Sequence, residues 1–153
     1  FHDDKRGLVV INTPKCQALI GALSQSEASD LADLNLESEE EFGVLCVASL
    51  DGKALSQSRD LWITLVSQAQ NTGFQSQKVA EYSILKEAGT GPILLRETPV
   101  RLFLRTKHAG WRLNSILANA DHLDSIPFQI QDEVLSFRAG THGTMYYRLT
   151  CTP

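Results

Sequence analysis

The stretch VASLDGKALSQSRDLWITLVSQAQNTGF, residues 47–74, sets a carboxylate (Asp51), a hydroxyl (Ser56) and an amide (Asn71) among apolar runs. A carboxylate near a hydroxyl could serve acid–base or nucleophilic chemistry if a third group oriented them. The sequence supplies none. No serine lies in a GxSxG elbow, and no Cys or Ser has a base partner at a recognisable spacing. Asp51 precedes Gly52, and Asp-Gly is a turn dipeptide before it is chemistry. Carboxylate pairs for glycoside hydrolysis could be drawn from many acidic residues, and none stands out. The four histidines (His2, His108, His122, His142) fall in expected loops without HxH or HExxH spacing, and there is no CxxC. Loop carboxylates such as Asp3, Asp4, Asp30 or Asp121 could converge on a structural Ca2+, and no other cofactor is expected. GTGP at 89–92 has no following lysine or helix start and is no phosphate cradle. The chain does not read as an enzyme.

Binding is better served. In PVRLFLR (99–105), alternation puts Val100, Leu102 and Leu104 on one face and Arg101, Phe103 and Arg105 on the other. In TMYYRLTC (144–151), Met145, Tyr147, Leu149 and Cys151 face the core, and Tyr146 faces out with Arg148. In DLWITLVSQA (60–69), Leu61, Ile63 and Leu65 oppose Trp62, Thr64 and Val66. Trp62, Phe103 and Tyr146 thus sit on outer faces among polar neighbours. An exposed aromatic suits a sugar ring, whose C–H face stacks while its hydroxyls hydrogen-bond. Arg101 and Arg105 would supply planar donors for such oxygens. Asn71, Phe74 and Tyr82 are loop candidates of second rank. Arg96, Arg101, Arg105, Lys107 and Arg112 read together as solvated positions on two neighbouring strands. Trp111, at a strand start, is open to either a core or a binding role.

The elements that must position these groups are strands. Apolar or alternating runs bounded by Gly, Pro, Asn or Asp fall at 7–12, 15–21, 31–37, 42–50, 60–69, 79–85, 92–96, 99–105, 110–117, 127–131, 133–138 and 144–151. Windows 24–34 and 77–89 could hold short helical turns. Asp51-Gly52 and Gln131-Asp132 read as tight hairpin turns, and ESEEE (37–41) as a solvated edge that resists sheet pairing. No long helical pattern separates the strands, so the expected fold is all-β: an antiparallel sandwich, jelly-roll or immunoglobulin-like, of roughly 8–12 strands with little helix.

The totals agree. The 153 residues suit one domain, 1–153, with 42% hydrophobic and 21% charged residues. A net charge of −4 argues against nucleic acid and anionic membranes as partners. No apolar run approaches the roughly 18 residues of a membrane span. The chain begins at Phe1 with no methionine or signal sequence, as a piece of a longer or processed protein would. Cys46, inside GVLCVAS, reads as a small buried hydrophobe, while Cys16 and Cys151 could form one bridge.

Several turn and strand signatures carry a resemblance: Thr13-Pro14-Lys15-Cys16-Gln17, Ser49-Leu50-Asp51-Gly52-Lys53-Ala54-Leu55, Ser58-Arg59, Asn71-Thr72-Gly73 and the final Met145-Tyr146-Tyr147-Arg148-Leu149. Their order resembles the β-sandwich domain that lies C-terminal to the TIM-barrel catalytic domain of large secreted bacterial glycoside hydrolases. The resemblance spans nearly the whole chain and departs at Ala54, where a proline is usual, and at Trp62, where an aliphatic residue is expected. It implies an extracellular, non-catalytic accessory domain. Its partners would be a polysaccharide or oligosaccharide and the catalytic domain of the same parent chain. Without glycan binding, the same resemblance implies a structural sandwich that packs on the barrel.

Overall fold

The computed structural model describes residues 2–117 and 123–152. Its strands are, in chain order, β1 (His2–Asp3), β2 (Leu8–Asn12), β3 (Cys16–Gly21), β4 (Leu34–Ser38), β5 (Gly43–Ser49), β6 (Asp60–Val66), β7 (Ala69–Thr72), β8 (Gln75–Val79), β9 (Tyr82–Glu87), β10 (Thr90–Leu95), β11 (Val100–Arg105), β12 (Trp111–Ile116), β13 (Leu123–Ser125), β14 (Gln129–Gln131), β15 (Val134–Ala139) and β16 (Tyr146–Cys151). One sheet has the order β1-β2-β3-β5-β6-β16-β12-β13 and the other β14-β15-β11-β4. Every pairing among the described residues is antiparallel. The chain is therefore an all-β antiparallel sandwich, as its alternation requires.

Period-two burial builds the core. Leu45, Val47, Leu61, Ile63, Leu113, Tyr147 and Leu149 from the large sheet meet Leu34, Leu36, Val100, Leu102, Leu104, Leu135 and Phe137 from the small one. Each fully buried leucine contributes roughly 1.5–3 kcal/mol of transfer free energy, so a one-residue slip of any central strand would forfeit several at once. β4 is an edge strand, and the acidic run expected at an edge begins on it. The β14–β15 hairpin turns at Asp132-Glu133, both with positive φ (51° and 62°), just after Gln131.

Three expectations need correction. The window 24–34 does overlap a short helical turn, a 3-10 turn at Leu23–Gln25, but 77–89 is a β-hairpin. The run 79–85 contains a reversal at Ala80-Glu81 instead of one strand, because Ala80 takes φ 53°. Asp51-Gly52 is no two-residue hairpin, since β5 and β6 are joined by a longer loop with a 3-10 turn at Leu55–Gln57.

Asp51 organises that loop. Its carboxylate accepts from the hydroxyls of Ser58 (2.7 Å) and Ser49 (2.9 Å) and from the backbone N–H of Arg59 (2.9 Å) and Lys53 (3.2 Å). Leu55 N–H also donates to the Pro14 carbonyl at 2.8 Å, docking the loop on the 13–15 turn. Buried Gln17 bridges β3 to the start of β4, donating to the Asp33 carboxylate and accepting from Asp33 N–H. The segments 13–17 and 49–59 are thus one brace.

A second brace joins the sheets. Gly140, with φ 83°, follows β15, and a Cβ there would overlap the Thr98 carbonyl oxygen. Thr98 N–H donates to Gly140 O at 2.9 Å, and Gly140 N–H donates to the phenolic oxygen of buried Tyr147 at 2.7 Å. Thr98 Oγ1 lies 2.5 Å from Ser67 Oγ, at the end of β6. From 68 to 97 the chain leaves the sandwich and no residue is buried. That excursion is a two-stranded arm, β7 with β10 and β8 with β9.

Two outcomes follow for stability. Desolvation pushes the Asp51 carboxyl up, but its four donors outweigh that and hold it well below the usual carboxylate range. A depressed folded-state pKa stabilises above the unfolded value of about 4 and is lost as the pH falls through the folded one. Asp51→Ala should cost about 1–2 kcal/mol at pH 7, the solvent exposure of the site discounted. In urea titrations, the gap to wild type should narrow below about pH 4, and a gap constant into strong acid would contradict this assignment. Tyr147→Phe leaves the Gly140 N–H without its acceptor and should cost about 1–3 kcal/mol by the same measurement. An unchanged urea midpoint would show that Gly140 does not depend on the phenol.

Candidate functional site

Trp62 points out. It lies on the outer face of the large sheet, opposite Ala48 on β5 and Arg148 on β16. Tyr146, opposite Thr64 and Ile116, brings its ring to 5.5 Å from that of Trp62 at 44°. Arg148 grips Asp60 on the same face, Nε to Oδ1 at 3.0 Å and Nη2 to Oδ2 at 2.8 Å. The hydrogen bonds that the Arg148 guanidinium donates to Asp60 hold it above its ordinary pKa. The register aligns Ile11–Ala18–Cys46–Thr64–Tyr146–Ile116 in one outer row and Val9–Ile20–Val44–Val66 in another. The row of Trp62 itself continues through Arg148 to Asn114 and Ser125, so polar groups gather on its β16 and β12 side, where Arg148 is committed to Asp60.

Phe103, Arg101 and Arg105 lie on the other side of the molecule, on the outer face of the small sheet. The platform expected from the sequence is therefore split between opposite faces of the sandwich. The cause is strand order: β11 belongs to the small sheet, while β6 and β16 are neighbours in the large one. The same order separates the basic residues. Arg112 is on β12 of the large sheet, and Arg96 sits at the base of the arm, paired with Glu40 at 3.3 Å.

The small-sheet face has the denser polar chemistry. The Arg101 guanidinium lies over Phe103, 5.0 Å from the ring centre, and 3.8 Å from the exposed Glu37 carboxylate. Phe103 is flanked by Asn35 on β4 and Ser136 on β15, and Gln129 on β14 extends that row. Arg138 stands directly opposite Arg101. A groove of about 1040 Å³ crosses all four strands of this sheet, lined among others by Glu37, Arg101, Phe128, Gln129, Ser136 and Arg138. Arg105 is exposed on the same face, opposite Val134. Asn35, Ser136, Arg138 and Gln129 were not singled out from sequence. Alternation in EVLSFR would have turned Ser136 and Arg138 outward, but only the β11–β15 register brings them beside Phe103.

The candidates of second rank belong to the arm. Asn71 donates its side-chain amide to Ala88 O at 3.1 Å, which braces the arm. Phe74 and Tyr82 are exposed at 40% and 77%, and neither joins the aromatic residues of the two sheets. Trp111 is core, its indole N–H donating to Thr106 Oγ1 at 3.1 Å.

The cysteines differ from expectation as well. Cys46 is half-buried and faces outward, because its register partners Ala18 and Thr64 do. Cys16 approaches Cys46, while the Cys151 thiol donates to Ala109 O at 2.8 Å. No Cys16–Cys151 bridge exists. His2 lies in β1 instead of a loop, and Asp121 and His122 fall outside the described residues. Asp3 and Asp30 do converge, but on Arg6: Nε to Asp3 at 2.7 Å and Nη1 and Nη2 to Asp30 at 2.8 Å each. These hydrogen bonds lower the pKa of both carboxylates. Among the described residues, no group of three or more His, Cys, Asp or Glu side chains is placed to hold a metal ion.

No protein-family model, curated protein or solved structure matches the chain.

The outward aromatic of the large sheet is checked by fluorescence. Acrylamide should quench the tryptophan emission of the wild type and of Trp111→Phe, and much less that of Trp62→Phe, whose remaining indole is buried. Equal quenching of the two variants would place Trp62 in the interior.

Proposed function

We propose that the chain is a non-catalytic, carbohydrate-binding accessory module of a polysaccharide-degrading glycoside hydrolase that works outside the cell. The observation that carries this reading is the outer face of the small sheet, where an arginine-capped phenylalanine is flanked by Asn35, Ser136 and Gln129, beside a groove that Arg101, Gln129, Ser136 and Arg138 help to line. Such a surface offers one apolar ring and several side-chain hydrogen-bond groups, the combination a pyranose requires. An open groove crossing the strands suits a chain ligand that enters and leaves at both ends. Holding a polymer beside a tethered catalytic domain raises its local concentration without new chemistry. The turn signatures of the sequence support the parentage, although in the fold they act as braces.

A second reading is favoured by the opposite side of the molecule. On the β2, β3 and β5 side of Trp62 and Tyr146 the outer rows of the large sheet are apolar, and the arm exposes Tyr82, Ile84, Leu85, Ile93 and Leu94. Surfaces of this kind suit packing against a neighbouring domain. In that reading the module stabilises its catalytic partner and binds no glycan.

Affinity electrophoresis of the isolated domain through a panel of polysaccharides separates the two. Retardation is expected on at least one glycan. Phe103→Ala or Arg101→Ala should weaken it about tenfold or more, as loss of a central contact does, and Trp62→Ala should leave it unchanged. Loss on Trp62→Ala alone would move the site to the large sheet. Free migration across the whole panel would leave only the packing role.

A further inference from the structure

Two thiols meet on the outer face of the large sheet. Cys16 Sγ and Cys46 Sγ are 3.8 Å apart across the β3–β5 ladder, and both residues are half-buried. The register pairs Cys16 with Ala48 and Ala18 with Cys46, so the cysteines occupy one diagonal of a square and alanines the other. Ser49 N–H donates to Lys15 O at 2.9 Å, which makes the Lys15–Ser49 level a hydrogen-bonded one. The Cys16–Ala48 and Ala18–Cys46 levels are then the non-hydrogen-bonded ones, where the strands bring side chains closest. Right-handed twist shortens one diagonal of each such square, and methyl groups on the other leave the thiols unobstructed.

We propose that Cys16 and Cys46 are a disulfide-forming site, a cross-strand staple closed by thiol–disulfide exchange with a small-molecule disulfide such as oxidised glutathione. The sulfurs must close from 3.8 Å to about 2 Å, a movement within reach of side-chain rotation and slight strand adjustment. One cysteine thiolate attacks the small disulfide, breaking its S–S bond, forming a mixed disulfide and releasing one thiol. The second thiolate attacks the protein sulfur of that mixed disulfide, forming the Cys16–Cys46 bond and releasing the second thiol. The two protons lost by the cysteines end on the released thiols, and the two electrons pass to the small disulfide, which is reduced. Burial, and then the neighbouring Cys16 sulfur, push the Cys46 thiol up to about 11. Its thiolate is scarce at neutral pH, so closure should quicken as the pH rises. Cys151 takes no part, since it lies on β16, two strands away from Cys46 in the sheet order.

The test equilibrates the folded domain in glutathione buffers of graded ratio, quenches with acid, and counts thiols after unfolding. Expected are three thiols per chain under reducing conditions and one under oxidising conditions, with a midpoint of thermal unfolding several degrees higher in the oxidised form. Non-reducing peptide mapping should recover the peptides of Cys16 and Cys46 as one cross-linked species. Cys46→Ser should abolish that species and leave Cys16 as a glutathione adduct, and Cys16→Ser serves as the mirror variant if the first fails to fold. Three thiols across the whole range, a bridge that includes Cys151, or a persistent glutathione adduct in the wild type would each overturn the proposal.

Discussion

The contact of Gly140 with Thr98 is the constraint on which the arrangement turns. Thr98 closes the arm and opens β11 of the small sheet, and Gly140 leaves β15 of that sheet on the way to β16 of the large one. Their backbones exchange a hydrogen bond at a distance no side chain at position 140 would allow. The same glycine N–H is satisfied by Tyr147, which is wholly buried in the large sheet. A single junction therefore fixes the crossing between sheets, the exit of the arm and the depth of a core aromatic. Buried backbone groups in such a crossing must be paired, and the phenol supplies the partner that neither ladder can.

With the sheets fixed in this way, the two outer faces become independent surfaces. The small sheet presents arginines, amides and a hydroxyl around one aromatic ring. The large sheet presents apolar rows over β2, β3 and β5, then one tilted pair of aromatic rings, and beyond it the Arg148–Asp60 pair with Asn114 and Arg112. Alternation along a strand cannot make these two kinds of surface by itself, since it decides only in or out. The chemistry of each face comes from which strands lie side by side. Arg101 stands beside Arg138 and Glu37 only because β11 lies between β15 and β4.

What the sequence made legible follows the same division. Period two in PVRLFLR and DLWITLVSQA placed the core residues correctly, because burial of a sheet face is a local signal. In TMYYRLTC it did so for Tyr147 and Leu149, while Met145, ahead of the strand, and Cys151, at its end, are only half-buried. The outward direction of Trp62, Phe103 and Tyr146 followed from it. Strand order is not local, so three outward aromatics read as one platform when two sheets separate them. Cys46 misled for a related reason: an apolar run such as GVLCVAS suits a strand covered on both faces, whereas here its outer face is only half covered. Asp51 was legible as a turn residue, but its four hydrogen bonds involve Arg59 and Ser58, whose approach depends on how the loop folds back.

The arm illustrates a kind of evolutionary freedom. Its two ends meet at the Ser67–Thr98 hydroxyl contact, with Arg96 N–H on Gln68 O beside it. The sandwich thus closes across the arm's root as though the intervening residues were absent. The entropic cost of closing a loop grows only slowly with its length. Insertions, deletions or wholesale exchange of the segment between 68 and 97 would leave the register of both sheets untouched. The root is an interchangeable socket, and lineages sharing this scaffold could diverge fastest in what they mount upon it.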